Sequence, residues 1–191
     1  MAFTEPSALE RLKYMQDAKT VAIVGASDNP SRASYFVSTY LLSAAHFKLF
    51  FVNPKLDEIL GQKVYNSLAD IPEPVDIVDV FRKASDIPGV LDEAIAIKAK
   101  TFWMQLGISD QASAERGVAA GLNVVQDKCI KIEHARFAGG LNLAGFNTKV
   151  TEAAACNEPL TDPLWKLGDS MDTQAPVLQT LPYVVVIIDE L

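Results

Sequence analysis

Histidine and cysteine are scarce, with two of each in 191 residues. Neither His46 and His134 nor Cys129 and Cys156 have the close paired spacing of a zinc site, so no metal centre is expected. Two cysteines in a chain this long make no disulfide framework, and no C-x-x-C is present; a reducing cytoplasm fits best. Positive charge is also short. The 17 Lys and Arg face 24 Asp and Glu, a formal net charge of -7, which argues against nucleic acid as a partner. A local basic spot could still hold a small phosphate. The N-terminus has no apolar stretch resembling a signal peptide, and the longest apolar run, Val184 to Ile188, is far too short to cross a bilayer. There is no Walker A loop and no G-x-S-x-G elbow, and no catalytic constellation stands out.

What is present is apolar mass: 49% hydrophobic against 21% charged residues, enough to bury a core. Residues 6–17 read as a helix, with Pro6 and Ser7 in its first turn and Leu9, Leu12 and Met15 at roughly helical spacing. The run Thr20-Val21-Ala22-Ile23-Val24 is a short buried strand that stops at Gly25. Residues 33–45 form the next helix, with Tyr35, Phe36, Tyr40 and Leu41 available for its apolar side. Further strands are expected over Lys48–Val52, Val75–Phe81, Lys100–Gln105 and Leu122–Gln126, and helices over Ser85–Lys98 and Ser109–Ala120. Gly61–Tyr65 reads as loop. Strictly alternating strands and helices predict an α/β fold: a Rossmann-like, doubly wound, parallel sheet of five strands, followed by a C-terminal extension. Such sheets bind ligands outside the carboxyl ends of their strands.

The turn after the first strand is Gly25-Ala26-Ser27-Asp28-Asn29-Pro30-Ser31-Arg32. Gly25 allows a tight exit from the strand, Ser27 offers a hydroxyl, and the following helix offers unpaired N–H groups. Arg32 adds a charge that can fork onto a phosphate. Together they suit a pyrophosphate. Only the first glycine of G-x-G-x-x-G is present, so the dinucleotide fingerprint fails. An NAD site expects an acidic residue at the end of the second strand; here stands Asn53-Pro54-Lys55. Lys55 would attract a phosphorylated ribose, which fits CoA with its 3′-phosphate and leaves NADP as a competitor. Cys129 lies between Lys128 and Lys131, whose charges would lower its pKa. His46 and His134 read as structural.

These strings resemble the CoA-binding domain family, small relatives of the nucleotide-binding domain of succinyl-CoA synthetase. The resemblance rests on Val21–Ser27, Phe51–Lys55, Gly61–Tyr65, Ser67–Pro72, Val75–Arg82, Trp103–Gly107 and Asp127–His134, and covers roughly residues 8–148. It implies CoA laid across the strand ends. Gly25, Ala26, Ser27 and Arg32 would hold the pyrophosphate; Pro54 and Lys55 would flank the adenosine and its 3′-phosphate. Val80, Phe81 and Arg82 would line the middle, Gln105 and Gly107 the pantetheine end. Cys129 would lie near the CoA thiol, able to form a mixed disulfide. Succinyl-CoA synthetase needs a phosphorylated histidine on a second domain, for which this chain has no counterpart. A binding module without catalytic machinery of its own is therefore expected: a carrier, sensor or regulatory protein. An NADP-binding redox protein, or a subunit completed by an acyl-transferring partner chain, remains open, as does a homo-oligomer.

Residues 157–191 have a different character. They resemble the Walker B region of FtsK-type DNA translocases, with Val184–Ile188 as the strand and Asp189-Glu190 as the acidic pair. Without a phosphate loop, no ATPase activity is expected. The division predicted is a CoA-binding domain over 1–148 and an extension over 149–191 resembling a truncated translocase fragment.

Overall fold

The computed structural model describes residues 3–138 and Ala155. The chain separates into two units, Met1–Gly139 and Gly140–Leu191, and the description below concerns the first. The predicted boundary near 148 and the whole 157–191 segment lie outside the described residues.

Helix α1 (Ala8–Asp17) begins at a capping box. The Ser7 hydroxyl accepts from Glu10 N at 3.3 Å, and the Glu10 carboxylate takes Ser7 N at 2.7 Å, so both orphan donors are satisfied locally. Strand β1 (Thr20–Val24) follows. Helix α2 (Ala33–Ala44) crosses over to β2 (Lys48–Val52). A short hairpin comes next, β3 (Glu58–Ile59) and β4 (Gln62–Tyr65). Then β5 (Ile77–Val80), α3 (Ile87–Ala96), β6 (Thr101–Met104), α4 (Gln111–Ala119), β7 (Asn123–Val125) and α5 (Ile130–Ala138) complete the unit. Pro88 stands in the first turn of α3, where a missing N–H costs nothing. Asp110 caps α4 by accepting from Ser113 N at 2.7 Å.

The strands form one sheet in the order β3-β4-β2-β1-β5-β6-β7. All pairs are parallel except β3 with β4. The sheet thus has seven strands among the described residues, not five. Of the two additions, β4 falls in the segment read as loop and β3 just before it, and they extend the sheet beyond β2. The other five strands stand where the apolar runs put them.

Residues of alternate parity face opposite sides. Ala22, Val24, Phe50, Val52, Val78, Val80, Phe102 and Met104 pack with Ile87, Leu91 and Ala94 of α3 and Ala114 of α4. Val21, Ile23, Leu49, Phe51, Ile77 and Trp103 pack with Met15 of α1, Val37 and Leu41 of α2 and Ile130 of α5. Both faces are covered, which is why each strand reads as a continuous apolar run rather than an alternating one. Helix α2 buries Ser34, Val37, Ser38 and Leu41, whereas Phe36, expected on its apolar side, is 59% exposed.

β1 lies at the centre. From it the chain moves outward one way through β2 and the other way through β5, β6 and β7. The topological switch point falls between β1 and β5, the place where open α/β sheets form a ligand crevice.

Candidate cofactor-binding site

The last register pairs of the central strands are Val24 with Val52, Val24 with Val80, and Val80 with Met104. The next residues along the chain are therefore Gly25, Asn53, Phe81 and Gln105, side by side along the carboxyl edge. Backbone bonds continue the ladder there: Gly25 N to Val52 O (3.0 Å), Phe81 N to Val24 O (2.8 Å) and Gln105 N to Val80 O (3.4 Å). Residues that the sequence separates widely meet along this row.

Gly25 adopts φ +83°, a left-handed conformation that glycine tolerates and other residues pay for. A Cβ there would stand 2.9 Å from both Phe81 O and Arg82 Cδ. The switch point is thus closed so tightly that only glycine fits. Ala26 is buried behind it. Its carbonyl accepts from Asn53 Nδ2 at 2.7 Å, while Asn53 Oδ1 accepts from Lys55 N at 2.9 Å. One amide side chain therefore clamps the first turn to the second, fixing the backbone of Lys55 relative to Gly25. Sequence reasoning assigned Asn53 no role, although an Asn ending a strand before Pro is itself a turn signal.

Beyond Gly25, Ser27 Oγ accepts from Asn29 N at 3.2 Å, and Asn29 Oδ1 accepts from Ser31 N at 2.9 Å. Arg32 is the N-cap residue of α2 and makes no side-chain capping bond. The first turn of α2 consequently keeps a positive end without a side-chain acceptor, with the exposed Arg32 beside it. Lys55 and Arg82 are exposed as well. Arg82 pairs with Asp86 at 3.1 Å, its stem lying over Gly25. Val80 is fully buried against α3, so its side chain belongs to the core and Phe81 and Arg82 are the residues that reach the edge. Gly107 adopts φ +77°, and its N–H donates to Asp127 Oδ1 at 2.7 Å.

Two aspartates on one segment have opposite surroundings. Asp76, at the amino end of β5, accepts from Lys19 N (2.7 Å) and Thr20 N (3.2 Å) and pairs with Lys100 at 2.7 Å. Burial works to raise its pKa, but these donors outweigh it and hold the carboxyl below the usual range. Asp79 is fully buried, with no cation beside it among the described residues. Burial pushes its pKa well above the ordinary value, and the Gln105 amide offsets this only in part. Gln105 Nε2 donates to both oxygens, at 2.9 and 3.1 Å. Gln105 was predicted in the site; Asp79 was not.

Cys129 is half-buried just before α5. Trp103 Nε1 donates to Lys128 O at 2.7 Å and pins its loop to β6. Burial raises the pKa of the thiol, and the N–H groups of Ile132 and Lys131 and the charge of Lys131 counter this only partly. The expectation that flanking lysines lower it is therefore corrected. Lys128 Nζ turns to Asp127 O at 3.1 Å, and Lys131 Nζ lies 3.9 Å from the centre of the Phe36 ring. His134, also buried, meets the Tyr40 hydroxyl at 3.1 Å, and burial lowers its pKa; it joins α5 to α2. A cavity of about 270 Å³ opens elsewhere, between Phe3–Pro6 and the β7 region, and none of the predicted site residues lines it.

Among the described residues no helix is long and apolar enough to cross a membrane, and no group of His, Cys, Asp and Glu could hold a metal ion. An uncharacterised protein of Bacillus subtilis, YneT, is 39% identical over 130 residues, 68% of this chain and 96% of that one. A solved hypothetical protein from Pyrococcus horikoshii superposes with a TM-score of 0.66 at 33% identity, over 71% of this chain and 98% of the other. A chain of the dinucleotide forming acetyl-coenzyme A synthetase 1 of Ca. Korarchaeum cryptofilum, in complex with phosphate and ADP, superposes at 0.55 with 25% identity, over 62% of this chain and 27% of that one. Separately, 52 residues are 52% identical to the DNA translocase FtsK of Vibrio vulnificus; they make up 27% of this chain and 5% of the translocase. The family model described as a CoA binding domain matches residues 19–135, and with the relative that shares nearly its full length, it shows that this chain belongs to the CoA-binding domain family.

Proposed function

We propose that the chain binds coenzyme A or an acyl-CoA across the carboxyl ends of β1, β2, β5 and β6, and acts as a carrier, sensor or regulatory module rather than as an enzyme in its own right. The observation that carries this reading is the switch point itself. A glycine that admits no Cβ stands beside a helix N-terminus without a side-chain cap, and the second strand ends in a lysine where an NAD site would place an acid. Gly25, Ala26, Ser27 and Arg32 take the pyrophosphate. Pro54 and Lys55 take the adenosine and its 3′-phosphate, with Asn53 holding their turn in place. Phe81 and Arg82 cover the middle, and Gln105 and Gly107 stand at the pantetheine end. Cys129 lies near the ligand sulfur, where exchange with oxidised CoA would form a Cys129–CoA disulfide and release one CoA thiol. Binding resides in residues 1–148; residues 149–191 are an extension without ATPase activity.

A subunit role has one observation behind it: the matching region is 27% of the acetyl-CoA synthetase chain, so this fold also occurs as part of a larger acyl-CoA enzyme. Co-purification with an acyl-transferring chain would favour that role over a free-standing carrier.

Isothermal titration with CoA and 3′-dephospho-CoA tests the assignment of Lys55. An exposed cation on a phosphate is worth up to about 1 kcal/mol, so wild type is expected to prefer CoA by about fivefold. Lys55→Ala is expected to lose that preference while still binding dephospho-CoA. Equal affinities of wild type for the two ligands would remove Lys55 from the site.

A further inference from the structure

Among the described residues four large hydrophobic side chains are exposed: Leu9, Phe36, Leu106 and Ile132, at 73, 59, 53 and 39%. Leu9 belongs to α1; the other three gather at the loop that carries Cys129. Leu106 lies between Gln105 and Gly107, just past the carboxyl end of β6. Its loop is knit to the one before α5. Gly107 N donates to Asp127 Oδ1 at 2.7 Å, Asp127 N to Ile108 O at 3.0 Å, and Lys128 N to Met104 O at 3.4 Å. Cys129 follows directly, half-buried, and the N–H groups of Lys131 and Ile132 face its sulfur. Ile132 therefore stands within one helical turn of the thiol. Lys131 reaches across to α2, its Nζ 3.9 Å from the centre of the Phe36 ring. Phe36 is the fourth residue of α2, which starts right after the phosphate turn, so it too stands at the carboxyl edge.

Single exposed apolar side chains are ordinary on a protein surface, whereas a group of them at one ligand-binding edge marks a contact surface. The Phe36 ring stays 59% exposed with the lysine already lying over it, so its neighbours in the fold do not cover it. Leu106, Ile132 and Phe36 suit a hydrocarbon. The position of the strip names its occupant. It begins beside Gln105 and Gly107, where the pantetheine ends in the reading above, and it passes Cys129, set near the ligand sulfur. Whatever a CoA carries beyond its sulfur reaches this strip first.

We propose that Leu106, Ile132 and Phe36 receive the hydrocarbon chain of a bound acyl-CoA, so that the site prefers CoA thioesters of medium-length fatty acids to acetyl-CoA and free CoA. This rests on the CoA-binding reading above. The chain takes three apolar side chains out of water, and its length, rather than the thioester group, sets the affinity.

Titration calorimetry of the full chain with CoA, acetyl-CoA, butyryl-CoA, succinyl-CoA and octanoyl-CoA, below micellar concentrations, tests it. Affinity is expected to rise about twofold with each added methylene, which corresponds to half the free energy of full burial, and so about fiftyfold from acetyl-CoA to octanoyl-CoA. The double variant Phe36→Ser with Leu106→Ser, both exposed positions outside the core, is expected to lose most of that gain. Leu9→Ser, also exposed but on α1, is expected to keep it. Octanoyl-CoA bound no more tightly than acetyl-CoA overturns the inference without any variant. So does a gain that survives in the double variant or vanishes equally in Leu9→Ser. Tighter binding of succinyl-CoA than of octanoyl-CoA overturns it as well and gives the strip to the Lys131 charge. Self-association that the double variant abolishes, with no dependence on chain length, overturns it in favour of a second copy. CoA binding with no chain-length dependence leaves the CoA reading intact; absence of binding by every ligand defeats both.

Discussion

Arg11→Met is expected to lower the free energy of unfolding by about 3–5 kcal/mol. Arg11 Nε meets Glu133 Oε2 at 2.8 Å with both side chains almost wholly buried, so α1 is joined to α5 by an ion pair out of water. The guanidinium also donates to the Pro6 carbonyl, fixing the segment that leads into α1. Removing the cation leaves the Glu133 carboxylate buried with the exposed Arg136, at 3.2 Å, as its remaining partner. The penalty comes from the stranded charge more than from the lost attraction. Replacing both partners, Arg11→Met with Glu133→Leu, is therefore expected to restore most of the loss. Urea unfolding followed by circular dichroism measures both. A single-variant loss below 1 kcal/mol, or a double variant as unstable as the single, would show that the pair does not lock α5. Because α5 starts directly after Cys129, the same variant should also loosen the thiol's surroundings.

Gly25→Val is expected to cost about 2–4 kcal/mol of stability, combining left-handed strain with overpacking against backbone. Its effect on ligand affinity should be larger still. The new side chain would strike Phe81 O, a backbone atom that cannot move aside cheaply, and would displace the Arg82 stem from the switch point. Gly121→Ala is the natural comparison. Gly121 has φ +90°, yet a Cβ there meets nothing within 4 Å. It should show the strain alone, about 1–2 kcal/mol, and leave ligand binding unchanged. Equilibrium unfolding and titration calorimetry on both variants separate strain from closure. If Gly25→Val bound ligand like wild type, the switch point would not be the site.

The five main strands were legible because each is an apolar run buried on both faces. β3 and β4 were not. Glu58, Gln62 and Lys63 are exposed, leaving only Ile59 and Val64 as buried signals in strands of two and four residues. Helix α5 escaped apolar periodicity for a different reason. Over residues 130–136, apart from Ile130, the residues it buries are Glu133 and His134, satisfied by Arg11 and Tyr40, and a pattern of hydrophobic residues does not register them. Asp79 was visible as an acid in an apolar run. Since both faces of a parallel strand are covered, the run alone could not tell whether the acid was buried. The Cys129 argument failed because burial raises the thiol's pKa by more than the Lys131 charge and the neighbouring N–H groups lower it. Gly25, Arg32 and Lys55 could be proposed from the sequence because turn chemistry and position after a strand constrain them together.

The central claim is that this fold holds CoA and not a nicotinamide dinucleotide. A thermal-unfolding series with CoA, NAD and NADPH at equal excess tests it most directly. At about 100 times its dissociation constant, a ligand stabilises the native state by about 2.7 kcal/mol, a readily measured rise in melting temperature. The account predicts that rise with CoA and little or none with NAD or NADPH. Stabilisation by NADPH alone would contradict it, leaving the fold intact and the cofactor wrong.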